Sequence, residues 1–350
     1  MKTTQKAGSL PDAQEMVQVG DVSLLRRAWV KLFPRRMDHP RIGLVLSSGG
    51  AKSLAHVGVI QVLEENKIPI HAIAGSSMGA YVGSLWAAGC HGGELESLAA
   101  EMHDKKVLRK LADPAFPFLK GLMKGEKAKE HLRQTIGDVT FDELDRELIV
   151  VAADLDSNER VVFQQGSVVD AVHASCAMPG IVVPVMIDGR RCVDGGVVEP
   201  VPVGALEKYC DVDMVIAVST LPSFEELDRG DSEGDPMFDA SPQHGMWGHL
   251  KKGINSKVNL AAQGNTIDTL RRSIRIAQIR MAQHSCKGAD IVLHAHSSHQ
   301  SQWHDYQNYR QFVDLGREVA EQSLPRIHEI IGSIQLPACK DEIQTEQMVG

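Results

Sequence analysis

Two short apolar runs, Ile42–Leu46 and Ala72–Gly75, each break into a glycine-bearing turn that leads straight into a helical pattern. This pairing constrains the fold more than any other feature of the chain. The first turn is Ser47-Ser48-Gly49-Gly50, with a helical stretch over Leu54–Glu65; the second is Gly75-Ser76-Ser77-Met78-Gly79, with a helix over Met78–Ala88. Only 27 residues separate Gly50 from Ser77, room for one helix and a return strand. Successive βα units of a parallel sheet place two such turns side by side. Leu148–Asp154 is a continuous apolar run of the kind buried on both faces of a sheet, and Met214–Val218 and Ile291–His294 read similarly. Strands alternating with helices predict an α/β chain: three layers, α/β/α, around a central, mostly parallel sheet.

Composition narrows the function. With 43% hydrophobic and 23% charged residues, the 350-residue chain is of ordinary globular make-up. A net charge of −8 disfavours nucleic acid as a partner, because that role needs a basic surface to neutralise phosphates. No apolar run reaches the roughly 20 residues that span a bilayer. Met1–Gly20 is polar and of mixed charge, without the apolar core of a secretory signal. The six cysteines are scattered with no C-x-x-C pair, which predicts reduced thiols, mostly buried. Fifteen histidines include a group at His294, His296, His299 and His304, but no metal-ligand spacing appears and no metal or other cofactor is expected.

The chain divides into a lead-in over residues 1–40, a main domain over 41–332 and a polar tail over 333–350. Within the lead-in, residues 24–41 mix six basic residues with Trp29 and Phe33, a composition suited to a docked extension or to an anionic membrane surface. Residues 222–245 are acidic and rich in Pro, Gly, Ser and Asp, and read as a loop or lid. A long helix is predicted over Ser256–Gln283, its stripe Ile267, Leu270, Ile274, Ala277 and Met281 facing the core. A closing helix is predicted over Tyr306–Ile331.

Three elements carry chemistry. Gly75–Gly79 is a G-x-S-x-G pentapeptide between strand and helix, which puts the Ser77 hydroxyl on a tight exposed turn at a helix N-terminus. Gly75 and Gly79 leave out the side chains that would collide in so sharp a bend. The run Ser48 to Ser53 clusters backbone amides in a second strand-to-helix loop. It matches neither phosphate-binding glycine pattern, so an oxyanion hole built on Gly49 and Gly50 is the favoured reading over a phosphate cradle. Asp194-Gly195-Gly196 is a simple turn in the first instance, yet a serine nucleophile needs a base, and a buried carboxylate within reach supplies one.

Together and in this order these elements resemble the patatin-like phospholipase family, and within it the bacterial branch related to neuropathy target esterase. Leu46–Gly58 resembles the family's glycine-rich motif, Gly75–Ala80 its nucleophile motif, and Ala174–Gly180 running on to Asp194-Gly195-Gly196 and Pro200–Val203 its aspartate region. The resemblance covers about residues 41–330. It implies Ser77 as nucleophile, Asp194 as general base, Gly49, Gly50, Ala51 and Lys52 as the oxyanion loop, and hydrolysis of lipid acyl esters. Ser48 and Ser53 stand where the family usually has glycine, Lys52 where arginine is commoner, Glu199 where Asn is frequent and His173 where Arg is frequent.

Two other functions remain open on the sequence. One is a Ser-His-Asp α/β-hydrolase that draws its base from a C-terminal histidine; the other is a non-catalytic acyl- or lipid-binding regulator that keeps the fold. The expected partner is a phospholipid or other acyl-ester substrate, met by transient contact with a membrane surface. The expected location is the cytoplasm, including its membrane periphery.

Overall fold

The computed structural model describes residues 40–116, 121–222, 266–296 and 305–335. Residues 1–39, the acidic stretch from 223, the helix start at 256–265, His299, His304 and the tail from 336 lie outside the described residues.

Eight strands form one mixed sheet: β1 (Ile42–Leu46), β2 (Ile70–Ser76), β3 (Glu147–Asp154), β4 (Arg160–Phe163), β5 (Val185–Ile187), β6 (Arg190–Asp194), β7 (Met214–Ser219) and β8 (Ile291–His294). Their order is β5-β6-β3-β2-β1-β7-β8, with β4 paired to β3 off this path. The run β3-β2-β1-β7-β8 is parallel throughout. The additions β4, β5 and β6 pair antiparallel. The alternating stretch Val183–Val193 is therefore a hairpin that joins the end of an otherwise parallel sheet.

Strand side chains alternate between the two faces, and each face has its own cover. On one face Ile42, Leu44 and Leu46 of β1 join Ile73, Leu148, Val150 and Ile216 in a core closed by helices α1 (Ala55–Glu65), α2 (Met78–Ala87) and the terminal helix Tyr309–Gln335. On the other face Val45, Ala74, Ile149, Val151 and Ala217 meet Val203–Leu206 and the helix Thr266–Cys286. Adding α3 (Gly92–Glu101), α4 (Lys105–Leu111), α5 (Glu126–Ile136), α6 (Val168–Ser175) and α7 (Val203–Tyr209), the two long helices become α8 (Thr266–Cys286) and α9 (Tyr309–Gln335). The predicted three layers are present, with sheet inside and helices on both faces. All but the first residue of β3 are buried, as its apolar run required.

Two glycines let α9 lie directly on α1. A Cβ at Gly58 would sit 2.0 Å from the Val313 carbonyl oxygen, and one at Gly316 would sit 1.9 Å from that of Ala55. Backbone thus meets backbone, and α9 packs across the helix that follows the glycine-rich loop.

The predicted core stripe of α8 is corrected by the structure. Leu270 is 45% exposed, Ala277 is exposed, and the buried positions are Ile279, Ala282 and Cys286. The core-facing stripe is rotated about a third of a turn around the helix, because α8 packs on the sheet through its C-terminal half. None of the described cysteines, Cys90, Cys176, Cys192, Cys210 and Cys286, forms a disulfide. Ser333–Gln335, read as the start of the tail, are the last turn of α9.

Candidate active site

β1 sits where the chain reverses its direction of travel across the sheet, to β2 on one side and β7 on the other. Open α/β sheets place ligands outside the carboxyl ends of the strands at such a switch point. A pocket opens there, and Gly49, Gly50, Lys52, Ser77, Asp194 and Thr220 contribute to its wall.

Ser77 follows β2 directly and caps α2 with φ 54° and ψ −127°, a left-handed conformation that a residue with a Cβ rarely adopts. Its surroundings hold it there. A Cβ at Gly79 would fall 2.2 Å from the Leu46 carbonyl oxygen, so the first turn of α2 presses against the end of β1. The Ser77 amide donates to Ser175 Oγ at 2.8 Å, and that hydroxyl donates onward to the Val151 carbonyl at 2.6 Å. Ser175 therefore ties the bend to the neighbouring strand.

Asp194 ends β6, and the antiparallel hairpin delivers it to the same place. It is 2% exposed. Ser77 Oγ donates to its Oδ2 at 2.6 Å, and the Gly196 amide donates to its Oδ1 at 2.7 Å. Burial pushes the carboxyl up to about 6, against the two hydrogen bonds, which favour the charged form and pull it down. Gly195 makes the approach sterically possible: a Cβ there would lie 2.1 Å from the Val151 carbonyl oxygen.

The loop after β1 completes the wall. A Cβ at Gly49 would collide with Thr220 Oγ1 at 2.2 Å, and Gly50 has φ 61°. Among the described residues, neither the Gly49 nor the Gly50 amide meets a hydrogen-bond acceptor. Ser53, which replaces a glycine of the family pattern, is not in the cavity. Its hydroxyl donates to the Ser47 carbonyl at 3.3 Å, which His56 Nε2 also reaches at 2.9 Å, so that nitrogen carries the proton. Burial lowers His56 to about 4, and the ring is neutral. Thr220 joins this lattice through its amide, which donates to Ser47 Oγ at 2.9 Å.

The structure thus brings Ser77, Asp194, Gly49, Gly50 and Lys52 onto one cavity, flanked by Gly75, Gly79, Gly195 and Gly196. Ala51 is buried in the 3-10 turn Gly50–Leu54 and does not line it. His294 and His296 are on and just after edge strand β8, three strands from β2, and neither contributes to the cavity wall. Glu199 and His173 also stand away from it. Glu199 is paired with Arg160 and accepts from the Ala205 amide at 3.2 Å, while His173 meets the Lys124 carbonyl at 3.2 Å. Sequence reasoning missed Ser175, His56 and Thr220, as well as Ile274, Arg275 and Gln278 of α8, which overhang the cavity. Only Ser175 carried a usable signal, being a hydroxyl inside the aspartate-region motif.

Part of the chain is similar to known proteins. Residues 44–207 match the patatin-like phospholipase family. That segment is similar to the patatin-like phospholipases over 164 of the 350 residues. An uncharacterized NTE family protein of Mycobacterium tuberculosis is 38% identical over 208 residues, 59% of this chain and 54% of the relative. The lysophospholipase NTE1 of Candida glabrata is 27% identical over 203 residues, 57% of this chain and 12% of that protein. The chain thus spans about half the length of the mycobacterial relative. Among solved structures, VipD from Legionella pneumophila aligns with a TM-score of 0.44 at 14% identity, over 83% of this chain and 67% of that one. Both Ser77 and Asp194 fall inside the matched segment, as does the whole loop from Ser47 to Ser53.

Proposed function

We propose that this chain carries a patatin-like domain acting as a serine lipid acyl hydrolase that cleaves carboxylic esters of phospholipids or lysophospholipids. One observation carries the reading: the 2.6 Å hydrogen bond from Ser77 Oγ to a buried carboxylate with a raised pKa, on a strained turn facing two amides without acceptors. Ser77 is the nucleophile and Asp194 takes its proton as general base. The Gly49 and Gly50 amides receive the charge that develops on the carbonyl oxygen, and Lys52 adds a positive charge to the same loop. The leaving alcohol takes the proton back from Asp194, and water repeats the sequence on the acyl-enzyme. The dyad requires no histidine, and the described candidates His294 and His296 do not line the cavity.

The substrate class rests on the relatives, which include NTE family proteins and a lysophospholipase. Among the described residues no helix is long and apolar enough to cross a membrane. The proposed meeting place with the substrate is the bilayer surface, and the basic residues of 24–41 are the proposed contact.

The deciding experiment is release of a chromophore from an acyl ester, followed by fatty-acid release from a lysophospholipid. Ser77→Ala and Asp194→Asn should each remove nearly all turnover, and the double variant should be little worse than either, because groups acting as one unit are not additive. Turnover that survives in Asp194→Asn excludes the dyad. A wild-type protein that binds lipid without turnover is the regulator instead.

A further inference from the structure

Ser48 stands where the family pattern has glycine, and its hydroxyl has no assigned role. The backbone of Ser48 is fully engaged: its amide donates to the Pro200 carbonyl at 2.8 Å and its carbonyl accepts from Thr220 Oγ1 at 3.1 Å. Those two bonds fix where the side chain points. The residue is 3% exposed, lines the cavity beside Ser77 and Asp194, and its Oγ has no hydrogen-bond partner. A Cβ on Gly196 would come 3.0 Å from Ser48 Oγ and 2.9 Å from Asp194 Oδ1, which puts the hydroxyl close to the carboxylate end of the site. A buried hydroxyl left without a partner destabilises the folded protein, so an orphan of this kind inside a reaction cavity points to a partner that arrives with the substrate.

We propose that Ser48 Oγ–H is a third donor of the oxyanion hole, alongside the Gly49 and Gly50 amides. The inference rests on the acyl-hydrolase reading and deepens it. As Ser77 Oγ bonds to the carbonyl carbon, the C=O π pair moves onto oxygen and the Ser77 proton passes to Asp194. The oxyanion accepts two N–H bonds from Gly49 and Gly50 and one O–H bond from Ser48. On collapse the pair returns, the C–O bond to the alcohol breaks, and the alcohol leaves with the proton from Asp194. Ser48 forms no covalent bond and is neither acid nor base. The Ser48 backbone is fixed before the substrate enters, by its bonds to Pro200 and Thr220, so the loop itself needs little reorganisation during the reaction. Departure from the family's glycine therefore adds a donor to the loop instead of weakening it.

The test is pre-steady-state hydrolysis of a chromogenic short-chain ester by the full chain, together with the rate at which a fluorophosphonate labels Ser77. Its phosphoryl oxygen occupies the oxyanion position, so labelling reads the same contact without turnover. Ser48→Ala and Ser48→Gly should lower the burst rate, the steady-state kcat and the labelling rate in parallel, on the order of 10²-fold, with KM little changed. Ser48→Thr, which keeps the hydroxyl, should recover most of the rate. Melting temperature should not fall in Ser48→Ala, because an unpartnered hydroxyl is being removed. An undiminished burst with a slowed steady state would assign Ser48 to the deacylating water and overturn the proposal. Unchanged rates in Ser48→Ala, with an active wild type, overturn it as well. A wild type that neither turns over nor labels refutes the hydrolase reading itself, and this inference with it.

Discussion

Ser175 Oγ bridges two backbone groups, accepting from the Ser77 amide and donating to the Val151 carbonyl, and it is completely buried. Ser175→Ala removes the bridge and leaves a buried N–H and a buried C=O without partners. Each orphan costs about 1–3 kcal/mol. With partial relaxation into the space of one hydroxyl, the expected loss is about 2–4 kcal/mol in urea unfolding at constant m-value. The same bond holds Ser77 in its left-handed conformation. On the hydrolase reading, Ser77 freed from it shifts by a fraction of an ångström, and a misplacement of about 1 Å costs on the order of 10² in rate. We therefore expect kcat on a short soluble ester to fall about 10- to 100-fold. Because the contact is to the Ser77 backbone, the stability loss should be the same when Ser175→Ala is made in a Ser77→Ala background. A loss below about 1 kcal/mol would mean that the bridge contributes little. A loss that vanishes in the Ser77→Ala background would mean that it acts through the Ser77 hydroxyl. Either result refutes the reasoning.

Three further expectations follow from the same geometry. Ser77 is strained at φ 54°, and a Cβ is the cause, so Ser77→Gly should be more stable than Ser77→Ala by about 1–2 kcal/mol in chemical denaturation, both being inactive. Equal stabilities would show that the turn carries no strain. Asp194 titrates near 6, so kcat/KM should fall with one-proton dependence below that pH and stay level above it, unaffected by His294→Ala. Its folded pKa lies above the ordinary value of 3.8, so the native state binds the proton more tightly and stability declines as pH rises from about 4 to 6. Asp194→Asn should remove that decline, and an Asn variant with an unaltered pH–stability curve would contradict it. Deleting residues 1–40 should lower activity on anionic liposomes in a salt-sensitive way while sparing a short soluble ester. Equal losses on both substrates would instead assign the segment a structural role.

Much of this architecture can be read before any coordinates. β1, β7 and β8 lie within one residue of their predicted bounds because each is a short, mostly apolar run between polar turns, and β3 differs only by the exposed Glu147. The Ser77 and Gly49 loops adjoin because 27 residues of chain allow little else, and β1 and β2 do pair in parallel. Asp194 was legible through its two glycines, and the reason for them is visible as contact distances to Val151 and to the dyad. The orientation of α8 was not legible. Its apolar residues cover more than one face, and periodicity alone cannot say which of them meets the sheet. Ser48 and Ser53 occupy equivalent-looking positions in the pattern, yet one faces the cavity and the other joins the lattice around Ser47.

Local chain chemistry determined the elements of this protein and their neighbours in sequence: apolar runs make strands, glycines make the sharp turns, and short spacings make adjacent parallel units. The tertiary structure alone decided which groups meet across long stretches of chain. Ser77 and Asp194 are 117 residues apart, Ser77 and Ser175 are 98 apart, and Ser48 and Thr220 are 172 apart. Such contacts depend on how the sheet is ordered and on which face each helix buries. Both are set by packing the whole core at once, to which any one segment contributes only a part.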